Sequence, residues 1–329
     1  MAPLKTHRLF LGSMLCLGAV VSWGGMFPIM GSALRVMNPF QFTAIRYTCV
    51  ALMFAGLLVL REGWGALHLE SRAPILWVLG SLGFAGYGFL VFLGQRMAGP
   101  SGALCASVIM ALMPMLSILA NWLLRRVRPL PWSALFVLVS LCGVLTVVTK
   151  GQFRALIHLQ DNVLADALIL VGEACWMIYT NGASRFASWS PVRYTALTTA
   201  LGVPTIWGVN IVLHALGMND VVPLAGVLSI LPHIAYMVVV TGFLGVLFWN
   251  AGNRIVTPIK GVLFMDVVPV TTFVILAVGG YRFHGAELVG VSMTVAALIL
   301  NNVYQRMATA RRAALSAPTV AGDIPPTPA

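Results

Sequence analysis

The chain has 329 residues, of which 59% are hydrophobic and 9% charged, against about 25% charged in an ordinary soluble domain. So little charge cannot coat a water-soluble fold, and so much apolar content excludes a disordered chain. The net charge of +11 raises nucleic acid as a partner, but the Lys and Arg residues stand singly or in short groups between apolar runs, so they read as topology signals.

The remaining solvent is a lipid bilayer, whose hydrocarbon core of about 30 Å takes a helix of about 20 residues. Cutting the chain where charges, Pro, Gly and Asn cluster leaves apolar runs near residues 9–30, 39–60, 75–97, 100–124 and 131–149. Five more follow near 163–184, 192–214, 224–249, 258–280 and 286–305. Unbroken runs of this length predict helices rather than barrel strands, hence an all-α polytopic membrane protein of ten transmembrane helices. Lys5, His7 and Arg8 precede the first run as in a signal peptide, but no small-x-small cleavage site follows, so that run is expected to remain as a span. The five cysteines each fall inside an apolar run without Cys-x-x-Cys spacing, and read as small core residues. No phosphate-cradling glycine loop, zinc spacing or nucleotide motif is present, so no cofactor is expected.

Slid by about 153 residues, the two halves resemble each other, the mark of an internal repeat. Pro39-Phe40-Gln41-Phe42-Thr43-Ala44-Ile45 falls on Pro191-Val192-Arg193-Tyr194-Thr195-Ala196-Leu197. Trp23 falls on Trp176, and Met110 with Pro114 falls on Met265 with Pro269. Five spans per copy is an odd number, so the second copy enters the membrane from the opposite side, the inverted arrangement of secondary transporters. The expected organisation is a cytoplasmic segment over 1–8, a first five-helix repeat over 9–149, an external connector over 150–162, a second repeat over 163–305, and a disordered cytoplasmic tail over 306–329. With the N-terminus inside, 14 Lys and Arg residues lie on the inner side and 5 on the outer, with Arg46 within a span. That bias predicts both termini in the cytoplasm, with the protein in the cell's inner membrane.

Prolines inside a spanning helix free the carbonyl four residues back. Pro114 and Pro269 would free those of Met110 and Met265, which predicts helix kinks facing a shared cavity, with a harmless packed kink as the alternative. Charges inside spans are costly, and depth decides which of them count. Arg46 lies seven residues past Pro39, about 10 Å in, from where its side chain could snorkel to the surface. Asp166 reads as an interfacial residue or helix start. Asp266 lies eight residues past Pro258, about 12 Å deep, beside Pro269 and too short to snorkel far.

Glu173 lies ten residues past Val163, about 15 Å deep and so near the midplane. Asp166, Ile169, Glu173, Trp176 and Thr180 share one helical face flanked by Tyr179, which predicts that Glu173 looks into the bundle. There it would carry a proton or pair with a cationic group; the alternative is a protonated acid bonded to a neighbouring helix as structural glue. Glu173 falls on Val20, Asp266 on Ala111 and Arg46 on Thr198 in the other copy, so these charges break the repeat's symmetry. The candidate substrate-binding set is Glu173, Trp176, Tyr179, Trp23, Tyr87, Trp249, Asn250 and Asp266, with Glu173 and Asp266 as candidates for proton coupling. Gln95 and Asn253 are weaker polar candidates, while Gly80, Gly83, Gly86 and Gly88 read as a close-packing face.

On Trp23-Gly24, Arg46, Pro114, Pro269 and Trp176 with Tyr179, residues 9–305 resemble the EamA-type branch of the drug/metabolite transporter superfamily. The resemblance implies ten helices in two inverted repeats, and movement of small metabolites, often amino acids and often outward, through a central cavity. Many members carry a Gly-Glu pair where the fourth and ninth helices end; here the stretches read Arg125-Arg126-Val127-Arg128 and Gly279-Gly280-Tyr281-Arg282. The leading expectation is therefore a non-enzymatic transporter of an amino acid or organic cation, working by alternating access, with the bilayer and a small solute as partners. An intramembrane hydrolase built on Ser184 with His214 or His233 is one alternative. A passive channel or scaffold is another, although no ring of like charge accompanies it.

Overall fold

The computed structural model describes residues 2–113, 126, 131–151, 161–257, 261 and 264–315. Among them every regular element is helical. The principal helices are α1 (Ala2–Ala33), α2 (Pro39–Glu62), α3 (Ala73–Met97), α4 (Gly102–Ala111) and α5 (Pro131–Val148). They continue with α6 (Asp161–Gly182), α7 (Pro191–Ala215), α8 (Leu231–Val256), α9 (Val267–Val278) and α10 (Gly285–Leu315). Six segments, in α1, α2, α3, α6, α7 and α8, are long and apolar enough to cross a membrane, and shorter apolar stretches lie in α4, α5, α9 and α10.

The helix starts follow from local chemistry. The Asn38 side chain accepts the Gln41 N–H at 2.8 Å and the Ser190 hydroxyl accepts the Arg193 N–H at 2.9 Å, each just before a first-turn proline. A proline at that position loses no hydrogen bond, and the cap satisfies an N–H that the helix itself cannot. Along α2, Phe42, Arg46, Val50, Phe54 and Leu58 recur every four residues and are buried, while Leu52 and Leu60 stay exposed on the outer face. One stripe therefore builds the bundle interior and the other meets lipid.

Several boundaries differ from the sequence expectation. The run at 224–249 divides into a short helix, Leu224–Ser229, and α8, which starts beside Pro232 after a break at Ile230. Within the span at 258–280, a turn at Met265 and Asp266 precedes the helix Val267–Val278, and α10 continues ten residues past 305 to Leu315, so part of the expected disordered tail is helix. Ala and Arg, which dominate residues 308–315, are strong helix formers. The remaining tail, most of the 150–162 connector, and the stretch that holds Arg125 and Arg128 lie outside the described residues.

Both α3 and α8 pass through π-helical segments, Ser81–Gly86 and Tyr236–Gly245. In packing, α1 lies against α8 and α9, whereas α6 lies against α3 and α4. Helix α2 touches α7 and α8, α7 touches α3, and α5 pairs with α10. At the α3–α7 crossing the two backbones meet directly, because a Cβ on Gly80 would collide with the Thr198 carbonyl and one on Gly202 would run into the Gly80 carbonyl.

The loop after α2 is tied to α7. Glu70 pairs with Arg193 at 2.8 Å and accepts the Trp189 indole N–H at 3.0 Å, while the Arg193 guanidinium lies 4.2 Å from the Trp189 ring centre. The Trp189 hydrogen bond first, then Arg193, hold the Glu70 carboxyl below its usual range.

Two outcomes follow from this packing. Gly80→Ala is expected to lower the thermal midpoint of the purified protein by overpacking, at a cost of about 1–3 kcal/mol. Gly56→Ala, on a surface with nothing within 4 Å, is expected to leave it unchanged or raise it. For Glu70, a lowered folded-state pKa means that its contribution is complete above the unfolded value and lost as pH falls through the folded one. The thermal midpoint gap between wild type and Glu70→Gln should therefore be widest near neutrality and close below a pH of about 4.

Candidate functional site

Helices α1, α3, α6 and α8 converge on a layer of buried aromatic rings. The Trp23 ring lies 5.5 Å from Trp176 and 5.2 Å from Trp249, and Trp176 lies 5.5 Å from Tyr87 and 4.9 Å from Tyr179. These five aromatic candidates, drawn from positions up to 226 residues apart in sequence, thus form one cluster. Edge and tilted contacts of this kind favour a fixed arrangement beyond simple burial. Polar tips lock it: Trp249 donates to the Thr180 hydroxyl at 3.3 Å, and Asn250 donates to the Tyr179 hydroxyl at 2.9 Å and to Thr195 at 2.7 Å.

Glu173 is one helical turn from Trp176 on α6 and is completely buried. Among the described residues neither of its carboxyl oxygens has a hydrogen-bond partner, and the same holds for the Tyr87 hydroxyl and the Trp176 indole nitrogen. Glu173 lies close enough to Tyr87 to act on it electrostatically. Buried polar atoms without partners are rare in native proteins and call for an explanation in function or solvent.

Arg46 joins this layer from α2. It is 2% exposed, so its side chain turns into the bundle instead of reaching for the membrane surface. Its Nε donates to the Met237 carbonyl at 3.0 Å and Nη2 donates to the Thr241 hydroxyl at 2.9 Å. The Trp23 indole donates to the Thr241 carbonyl at 3.2 Å. Both acceptor residues belong to the π segment of α8, the kind of helical irregularity that recurs at functional sites. Sequence reasoning left Arg46 outside the candidate set because depth along a helix does not say which way a long side chain points; its position on the same stripe as Phe42 and Val50 was the available signal.

Between these groups the interior is nearly full. The cavity bordered by Trp23, Arg46, Tyr47, Tyr87, Met110 and Trp176 measures ≈ 10 Å³, room for about one water molecule. A larger recess of ≈ 620 Å³ lies at the end of the bundle formed by the C-termini of α1, α3 and α9, with Arg35, Gln95 and Tyr281 on its walls. Another of ≈ 320 Å³ lies at the opposite end, where α6 and α8 finish and α7 begins, walled by Thr180, Trp189, Asn250 and Arg254. Gln95 closes the first recess, donating to the Phe27 carbonyl at 2.7 Å, and Asn250 closes the second. Arg254 crosses the mouth of the second to the Trp189 and Ala187 carbonyls.

The remaining candidates sit elsewhere. Asp266 is buried at the N-cap position of α9, whose first turns pack against Gly24 of α1, and Pro269 is in that helix's first turn. The Met265 carbonyl accepts the Val268 N–H at 3.0 Å, and Met265 and Asp266 form the turn that precedes α9. Pro114 lies outside the described residues. Asn253 is buried on α8 one turn past Trp249, and Asp166 is only half-buried. Ser184 donates to the Asn181 carbonyl, and His214 bonds the Asn219 carbonyl rather than the serine.

The EamA-like transporter family matches residues 10–149. The chain is 37% identical over 303 residues to the uncharacterized transporter YrdR of Bacillus subtilis, with 92% of this chain and 94% of that protein covered. It is 26% identical over 284 residues to the uncharacterized transporter YyaM of the same organism, covering 85% and 90%. A protein of known crystal structure shares the fold, with a TM-score of 0.65 at 21% identity over 90% of this chain and 98% of that one. Together with its long apolar helices, this makes the chain a multi-pass membrane transporter of the EamA-like family, within the drug/metabolite transporters.

Proposed function

We propose that the protein is a secondary transporter of a small metabolite, an amino acid or organic cation, which it exports across the inner membrane by alternating access. In this reading the chain makes ten crossings as two inverted five-helix repeats with both termini cytoplasmic. The observation that carries it is the sealed aromatic layer between two recesses of ≈ 620 and ≈ 320 Å³ at opposite ends of the bundle. A passive pore would leave a continuous path, whereas a barrier between two half-open recesses is what rocking of two units about a midplane site requires.

Three further features support the mirrored pair. The contacts of α1 with α8 and α9 correspond to those of α6 with α3 and α4, as exchange of the halves demands. The π segments begin at Ser81 and Tyr236, 155 residues apart, and Gln95 and Asn250 stand at the same separation. The Asn38-Pro39 and Ser190-Pro191 helix starts correspond as well. Under this reading Glu173 is the proton or amine site, and Trp23, Tyr87, Trp176, Tyr179 and Trp249 are the walls. Asp266 is a second coupling candidate from α9.

Reconstituted in liposomes, the wild-type protein is expected to show saturable, pH-sensitive flux of some amino acids or amines. Glu173→Gln removes the proton-carrying group while keeping its shape, and is expected to abolish the pH-sensitive part, a loss of about tenfold or more. Full pH-dependent flux in that variant would remove Glu173 from the coupling role.

A further inference from the structure

We infer that Arg46 anchors an anionic oxygen group of the substrate, so that the transported solute carries a carboxylate. The inference rests on the reading above that the central layer is the substrate site, and it decides between the two solute classes named there.

The guanidinium is held by two of its three nitrogens: Nε on the Met237 carbonyl at 3.0 Å and Nη2 on the Thr241 hydroxyl at 2.9 Å. The third, Nη1, has no hydrogen-bond partner among the described residues, and Arg46 borders the small central cavity. No carboxylate among the described residues forms an ion pair with it. The Tyr47 and Phe92 rings, 4.8 and 5.7 Å from its central carbon, return about 0.5–2 kcal/mol through cation–π attraction. Removing an ion from water costs several kcal/mol even after relaxation. Nη2 also approaches the weak-acceptor sulfur of Met26 at 3.7 Å. Three neutral acceptors and two rings therefore leave this charge undercompensated until an anion arrives.

If Arg46 served only to pin α8, one donor to each acceptor would suffice, and its free arm would have no reason to border a cavity. A planar fork with two nitrogens fixed and one presented inward is instead suited to a planar oxyanion. The Tyr87 hydroxyl, also without a partner and on the same cavity wall, adds a second donor. Among the described residues Arg46 is the one cation bordering that cavity, which suits a singly charged carboxylate better than a dianionic phosphate. An organic cation without a carboxylate would meet an unneutralised positive charge where water cannot screen it. An ammonium group elsewhere on the same solute is free to use Glu173.

The test uses the full chain in lipid nanodiscs and liposomes with solutes that share a side group and differ in charge. These are 3-phenylpropionate, phenethylamine and L-phenylalanine, and 4-methylpentanoate, isoamylamine and L-leucine. Calorimetric binding and competition for flux are expected from the carboxylate-bearing members of a set and not from its amine. Arg46→Lys, which keeps the charge and loses the fork, should weaken that binding by about tenfold, and Arg46→Gln should remove the preference for carboxylates. Thr241→Val, which frees one arm without touching the charge, should weaken binding less than either. Where Arg46→Gln does not fold, the wild-type comparison decides alone. Amines binding as tightly as carboxylates, no carboxylate binding at all, or an unchanged carboxylate affinity in folded Arg46→Gln would overturn the inference. Amine flux that depends on Glu173 would do so while leaving the transporter reading intact; absence of saturable flux for every solute would remove both.

Discussion

In hydrocarbon there is no water to accept a hydrogen bond from Arg46, so its guanidinium takes acceptors from the neighbouring helix. Those acceptors, Met237 and Thr241, lie in the π segment of α8, and Thr241 also receives the Trp23 indole through its carbonyl. One irregular stretch of helix thus ties α2 and α1 to α8. The position of Trp23 then sets Trp176 and Trp249, whose rings pack directly on it. The centre of the molecule is arranged around a charge that cannot escape to the membrane surface.

The two polar closures have matching roles. Gln95 holds the Phe27 carbonyl near the end of α3, and Asn250 holds the Tyr179 and Thr195 hydroxyls near the end of α8. Gln95 makes one such hydrogen bond and Asn250 two, of a kind worth about 0.5–1.5 kcal/mol net apiece. Contacts of that size can be exchanged for water as a recess opens, whereas the dense ring layer between them resists passage. The arrangement therefore places weak closures at the ends and a tight one in the middle.

Much of this was legible in the sequence because hydrocarbon imposes simple rules. The spans at 39–60 and 192–214 correspond closely to Pro39–Glu62 and Pro191–Ala215, since each starts at a capped proline whose signal is local. The aromatic cluster was foreshadowed by the Trp23 and Trp176 correspondence, and the burial of Glu173 by its helical stripe. Other features depend on partners that a linear reading does not supply. The inward turn of Arg46 requires acceptors on α8, 191 and 195 residues away. The π segments have no local code beyond small residues among apolar ones. Gln95 and Asn250 each read as weak alone, and acquire meaning only from the recesses they close.

The central claim is that the two recesses open in alternation about one closed layer. Pulsed dipolar spectroscopy on reconstituted protein measures it directly, with spin-label pairs at Arg35 and Arg282 across the first mouth and at Ser184 and Thr257 across the second. As pH is shifted between mildly acidic and mildly alkaline, the account predicts two populations in each pair, with one distance lengthening as the other shortens. Mouths that widen together, or distances that never change, would contradict it.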